Sequence, residues 1–174
     1  MKYILKHFLV TFFVIFTTNL FAQDNIAILD LKYVLNESKA GKGAQEFLKK
    51  SYKNNVKKFK EIEVQLKKEE DDLLSKKTVI SKEEYTKKSD SLRKKVIDYK
   101  SQRRAAMDKI TTQRSESRAT LIKSIEPILE EYIKENNISV VINKVSTLGG
   151  NPENNITKII VEKLDKVLPS LDLK

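Results

Sequence analysis

The sequence predicts an α+β protein in which a long antiparallel helical hairpin, a coiled-coil-like arm, is inserted in a small β-rich body that assembles with copies of itself. Three observations carry this. Between Gly43 and Gly149 the only helix breaker is Pro127, so helix is the default state of the long middle. Two short apolar runs, NIAIL at 25–29 and SVVIN at 139–143, flank that middle; neither can satisfy its backbone alone, and each is the other's best partner. The composition, 33% charged with only 4 Gly and 3 Pro in 174 residues, is that of long helices.

The chain opens on MKYILKHFLVTFFVIFTTNLFAQ. Lys2 and Lys6 give a positive start, Phe8 to Phe16 form an apolar run broken only by Thr11, and Ala22 offers a small residue for cleavage. This is the layout of a signal peptide over residues 1–22, with a core too short for a comfortable membrane span. Cleavage before Gln23 removes His7, the single histidine, and the chain has no cysteine. Zinc sites built on Cys or His, disulfides, and nucleophilic catalysis by Ser-His-Asp or Cys-His are thereby excluded. No cofactor, no metal and no enzymatic activity are expected.

Residues 23–39 form the first part of the body, with a strand at 25–29. The arm spans 40–120. On its descending half Leu48, Tyr52, Phe59, Ile62, Leu66 and Leu73 follow heptad steps, with Asn55 and Glu69 in two seam positions. The returning seam runs Tyr85, Ser89, Leu92, Val96 and Tyr99, then Arg103, Ala106, Ile110, Gln113 and Ser117; four of these ten are polar or charged. The tip falls near 75–80, because Ser81 and Glu84 form a capping box and Ile80 and Tyr85 stand where a hydrophobic staple needs them. AGKGAQ, residues 40–45, lacks the spacing of a phosphate-binding loop and reads as a flexible helix start.

A helix from Lys82 to Asn136 reaches about 80 Å and one from Ala40 to Ser75 about 54 Å, so the return overshoots by roughly 26 Å. Its last stretch, ATLIKSIEPILEEYI, must dock on something other than the descending helix; Pro127 within it predicts a kink rather than a break. Residues 121–174 complete the body: the end of the return helix, a strand at 138–143, a third short strand in NKVSTLGGNP, and a C-terminal helix at 156–168 with Asn155 as its N-cap. Two or three short strands and two helix ends make a core below what usually folds alone. An obligate homo-oligomer is therefore expected, with Ile26, Ile28, Val140, Val141 and Ile142 as its candidate shared core.

The charge is uneven. Loss of Lys2 and Lys6 with the leader takes the net charge from +10 to +8; residues 42–124 carry 24 Lys plus Arg against 13 Asp plus Glu, while 23–41 and 125–174 are slightly acidic, so the basic character belongs to the arm. Such an arm attracts acidic polypeptides and anionic lipid surfaces, more weakly as salt rises.

The stretches IAILDLKYVLNESKAGKGAQEFLKK, QRRAAMDKITTQRSESRATLIKSI and ISVVINKVSTLGGNPENNITKIIVEKLDKV together resemble the Skp (OmpH-like) family of periplasmic chaperones, over essentially the whole mature chain. The resemblance rests on the order of elements, not on one specific motif. It implies a periplasmic homotrimer whose arms project like tentacles around a cavity. That cavity would hold unfolded outer-membrane proteins without ATP. It also places client contacts on the arm surface, where Lys76, Lys77, Lys87, Lys88, Lys94 and Lys95, with Arg103 and Arg104, are the candidates; each reads equally as part of a solvated helix face. An anionic lipid or lipopolysaccharide surface is a further candidate partner. The rival functions are a structural coiled-coil adaptor of the envelope and a basic nucleic-acid-binding protein. The latter is disfavoured because the chain carries an export signal and no aromatic stacking cluster.

Overall fold

A computed structural model describes residues 25–173; the signal peptide expected over 1–22 lies outside the described residues. The two apolar runs do pair. Strand β1 (Ile26–Leu29) lies parallel to β2 (Val140–Asn143), with Ile26 opposite Val140 and Leu29 opposite Asn143. Parallel strands need a crossover connection, and here the crossover is the whole arm.

The body is less β-rich than the sequence suggests. The expected third strand is absent: residues 144–146 and 152–154 form 3-10 turns, in which the Asn143 and Asn151 side chains accept from the N–H groups of Val145 and Glu153. Short polar side chains that bond their own backbone compete with ladder pairing. The second edge of β1 is met only by a bridge to Asn155, beside which the Ile156 N–H donates to the Ile28 carbonyl at 3.0 Å.

Helix supplies most of the body instead. Helix α1 (Leu31–Glu37), unforeseen from the sequence, starts where Asp30 accepts from the Tyr33 N–H at 2.9 Å, and it buries Val34 and Leu35. Ser38 ends α1 and caps α2 (Lys39–Ser75), accepting from the Gly41 N–H at 3.2 Å. The expected flexible start at 40–45 is thus an ordered first turn. Gly41 is buried there because the Leu35 carbonyl lies 2.1 Å from where a Cβ would stand.

Helix α3 (Lys82–Glu135) begins at Ser81, whose hydroxyl accepts from the Glu84 N–H at 3.2 Å, which fulfils half of the capping box. The Glu84 carboxylate pairs with Lys88 at 2.9 Å. The tip therefore occupies 76–81, as expected within a residue. Along the arm the anticipated seam residues are withdrawn from solvent, except Tyr52, Glu69 and Arg103. Phe59 packs edge-on against Tyr99 with ring centroids 6.0 Å apart, and Glu69 bridges to Lys95 across the hairpin at 2.7 Å.

With 54 residues against 37, α3 outruns α2 by about 26 Å, and the overshoot is what builds the body. Its Leu121, Ile125 and Ile128 pack with Ala27, Leu29, Val34 and Leu35, and with Ile160 and Leu164 of α4 (Thr157–Val167). Helix α3 runs through Pro127, which is exposed, at the cost of one backbone hydrogen bond. It ends on Asn137 in the left-handed region (φ 50), with the Ile138 N–H donating back to the Ile133 carbonyl at 3.0 Å. The N-cap of α4 is Ile156, with no side-chain cap, and not the expected Asn155, which stands one residue earlier and accepts from the Thr157 N–H at 3.0 Å in an Asx turn; the Asp165 carboxylate takes the Lys39 N–H at 2.7 Å and ties α4 to the arm's root.

Both strands read as buried from the sequence, and in the single chain this holds for one face only. Ala27 and Leu29 are buried and Val141 packs beside them. Ile26, Ile28, Val140 and Ile142 share the opposite face by register; Ile26 is 38% and Val140 45% exposed. The period of two along a strand sends neighbours to opposite sides, so of the five candidate core residues only Val141 joins the chain's own core.

Candidate functional site

The arm carries the surface features a binding function can use. The eight basic residues singled out from the sequence are not brought together. Lys76 is paired with Asp72 at 2.7 Å, Lys88 with Glu84, Lys95 with Glu69 and Arg104 with Asp108 at 3.8 Å. Lys77 sits at the tip, and Lys87 and Lys94 fall on the side of α3 turned away from the seam; these three are exposed. Only Arg103 borders the feature described next.

One flank of the hairpin is an open groove. It consists of three cavities of about 640, 220 and 850 Å³ from tip to root. Glu63 and Tyr99 border both the first and the second, and Tyr52 borders both the second and the third, so the three form one channel. On α2 its rim includes Lys49, Val56, Lys60, Glu63, Lys67 and Leu74. On α3 it includes Arg93, Ile97, Lys100, Met107, Arg114 and Arg118. Each of these residues directly follows a seam position. In antiparallel helices, positions one step past the seam come to the same side of the pair, because each advances by 100° in the same sense about its own axis.

The apolar side chains left open on the arm gather here. Tyr52 (54%), Val56 (47%), Leu74 (55%) and Ile97 (60%) border the groove, whereas Val64 and Val79 lie elsewhere. The cations gather too. Lys49, Lys67, Lys100, Arg103, Arg114 and Arg118 border it without an ion pair among the described residues, against two unpaired acids, Glu46 and Glu70. Lys42, at the root, is held by Glu37 at 2.8 Å; the hydrogen bond it donates to the Glu37 carboxylate, reinforced by that group's charge, raises the Lys42 pKa above the ordinary 10.5. No group of three or more His, Cys, Asp or Glu side chains placed to hold a metal occurs among the described residues. The chemistry available is adhesion: an apolar floor with a basic rim.

The lysine doublets drew the sequence reading because they are conspicuous, yet ion pairs along or across the helices occupy several of them. The groove had a legible signal that was missed: the residue following each seam position is repeatedly apolar or basic.

The family model described as outer membrane protein (OmpH-like) matches residues 25–164. In three dimensions the chain is similar to the crystal structure of a candidate outer membrane chaperone (OmpH-like) from Caulobacter crescentus CB15, with a TM-score of 0.80 and 17% identity, over 88% of this chain and 90% of that one. At that identity the likeness is one of fold. No curated protein sequence matches the chain.

Proposed function

The chain belongs to the OmpH-like outer membrane protein family, and from that premise we propose that it is an ATP-independent holdase chaperone of the periplasm that binds unfolded outer-membrane proteins between its arms. The observation that carries the reading is the groove: a long, open surface mixing exposed apolar side chains with unpaired cations. A holdase needs many weak contacts, because uniform tight packing selects one client and releases it slowly. The name carried by the Caulobacter structure, an outer membrane chaperone, supports the same role, and the export signal read over residues 1–22 supports the compartment.

The working form in this proposal is a homotrimer. What supports assembly is the sheet face on which Ile26 and Val140 are exposed beside the half-buried Ile28 and Ile142, continued by Val145 (76% exposed) and Leu148 (fully exposed) in the following turn. Apolar patches of this kind mark interfaces, and the number three comes from the family resemblance. Anionic lipid remains a second partner on grounds of charge alone.

The test is light scattering as a urea-unfolded outer-membrane β-barrel protein is diluted into buffer, with and without the chain from Gln23. Suppression at near-stoichiometric ratio without ATP is expected. Unchanged scattering from folded, assembled protein would overturn the holdase reading in favour of a dedicated envelope adaptor.

A further inference from the structure

Building on the chaperone reading, we propose that the two flanks of each arm are not equivalent: the groove flank binds one extended segment of unfolded polypeptide that is net acidic with apolar side chains at alternate positions. Its length suits such an occupant. From Gln45 to Leu74 the groove follows α2 for about 44 Å, the span of about thirteen residues in extended conformation. A strand presents alternate side chains to opposite sides. Every second residue can therefore rest on Tyr52, Val56, Tyr99 and Ile97, while those between reach the rim. There the six unpaired cations outnumber two unpaired acids, so carboxylates on the occupant find partners and lysines meet repulsion. The other flank is built differently: Lys95, one step before a seam residue, is neutralised by Glu69 reaching from α2.

Fluorescence anisotropy on the assembled chain from Gln23 tests this with labelled peptides of about twelve residues. One alternates Val and Glu, the other Val and Lys. The triple variant Lys49→Glu, Lys100→Glu, Arg114→Glu alters unpaired groove cations. The control, Lys57→Glu, Lys87→Glu, Lys94→Glu, makes the same change in net charge on the sides of the helices turned away from the seam. A third variant, Leu74→Ser with Ile97→Ser, removes exposed apolar side chains of the groove without touching charge. All these side chains are exposed, and circular dichroism checks each fold.

The expected result is that the Glu peptide binds more tightly than the Lys peptide. The groove triple should weaken it about tenfold, while the control stays within about twofold. The serine variant should weaken both peptides. Equal losses in the two triples would overturn the proposal, as would equal binding of both peptides. So would a groove defect seen only with phosphatidylglycerol vesicles, which would make lipid the occupant. The scattering assay run alongside separates the two readings. Suppressed aggregation with groove-independent peptide binding removes the groove assignment and leaves the chaperone. Groove-dependent peptide binding without suppression does the reverse.

Discussion

Gly41 and Gly43 stand two residues apart in the first turns of α2, yet alanine at each is expected to change stability in opposite directions. In a helix, Ala is better than Gly by about 1 kcal/mol when nothing else intervenes. At Gly43 nothing lies within 4 Å of the added Cβ, so Gly43→Ala should gain about 0.5–1 kcal/mol. At Gly41 the Cβ would meet the Leu35 carbonyl oxygen at 2.1 Å and its carbon and the Ser38 hydroxyl at 3.0 Å. An ordinary carbon–oxygen contact is about 3.3 Å or more, so α1 and α2 must separate by roughly 1 Å. The neighbour is backbone and cannot rotate aside. That movement strains the Ser38 cap, worth about 1 kcal/mol, and loosens Val34 and Leu35 from the core, with overpacking costs of about 1–3 kcal/mol. The clash outweighs the propensity gain. Thermal unfolding by circular dichroism at one fixed protein concentration measures both, since assembly makes the midpoint concentration-dependent. At about 2–4 °C per kcal/mol for a chain of this size, Gly43→Ala should melt a few degrees higher and Gly41→Ala several degrees lower. A Gly41→Ala protein melting at or above wild type would refute the close approach of α1 to α2.

Three further outcomes follow from the packing and the charges. Leu164 is fully buried where α4 meets α1 and α3, so Leu164→Ala should lose about 2–5 kcal/mol, read as a lower urea midpoint. Glu69→Gln removes an exposed ion pair across the arm and should cost less than about 1 kcal/mol; its difference from wild type should shrink when melts are repeated in concentrated salt. The raised pKa of Lys42 means that its pairing with Glu37 contributes stability at pH values below 10.5 and loses it as pH climbs through the raised value. Wild type should therefore lose more stability than Glu37→Gln over that alkaline range, in denaturant titrations run at stepped pH.

The arm was legible because a hairpin announces itself locally. The heptad steps from Leu48 to Leu73 and from Tyr85 to Ser117, the absence of glycine between them, and the Ser81 cap are all nearest-neighbour signals, and the structure follows them within a residue or two. Helix α1 had such a signal too, in Asp30 followed by Leu31, Val34 and Leu35, but its seven residues are too few for periodicity to stand out beside a strand. The third strand failed for the opposite reason. Asn143 and Asn151 turned their side chains onto the local backbone, which β propensity alone does not register.

The sequence by itself determined what short-range physics controls: which segments are helices, where they start and stop, which residues face the seam, and that the two apolar runs need each other. Tertiary structure alone decided the parallel register of β1 and β2, the burial of Ala27 and Leu29 in place of Ile26 and Val140, and the demand for glycine at position 41. It also decided which cations stay free. Lys95 precedes the seam residue Val96 and Lys100 follows the seam residue Tyr99, but only the assembled hairpin brings Glu69 to the first and leaves the second lining an open groove. Those outcomes depend on how two helices rotate against each other, a relation between residues dozens of positions apart that no local propensity encodes.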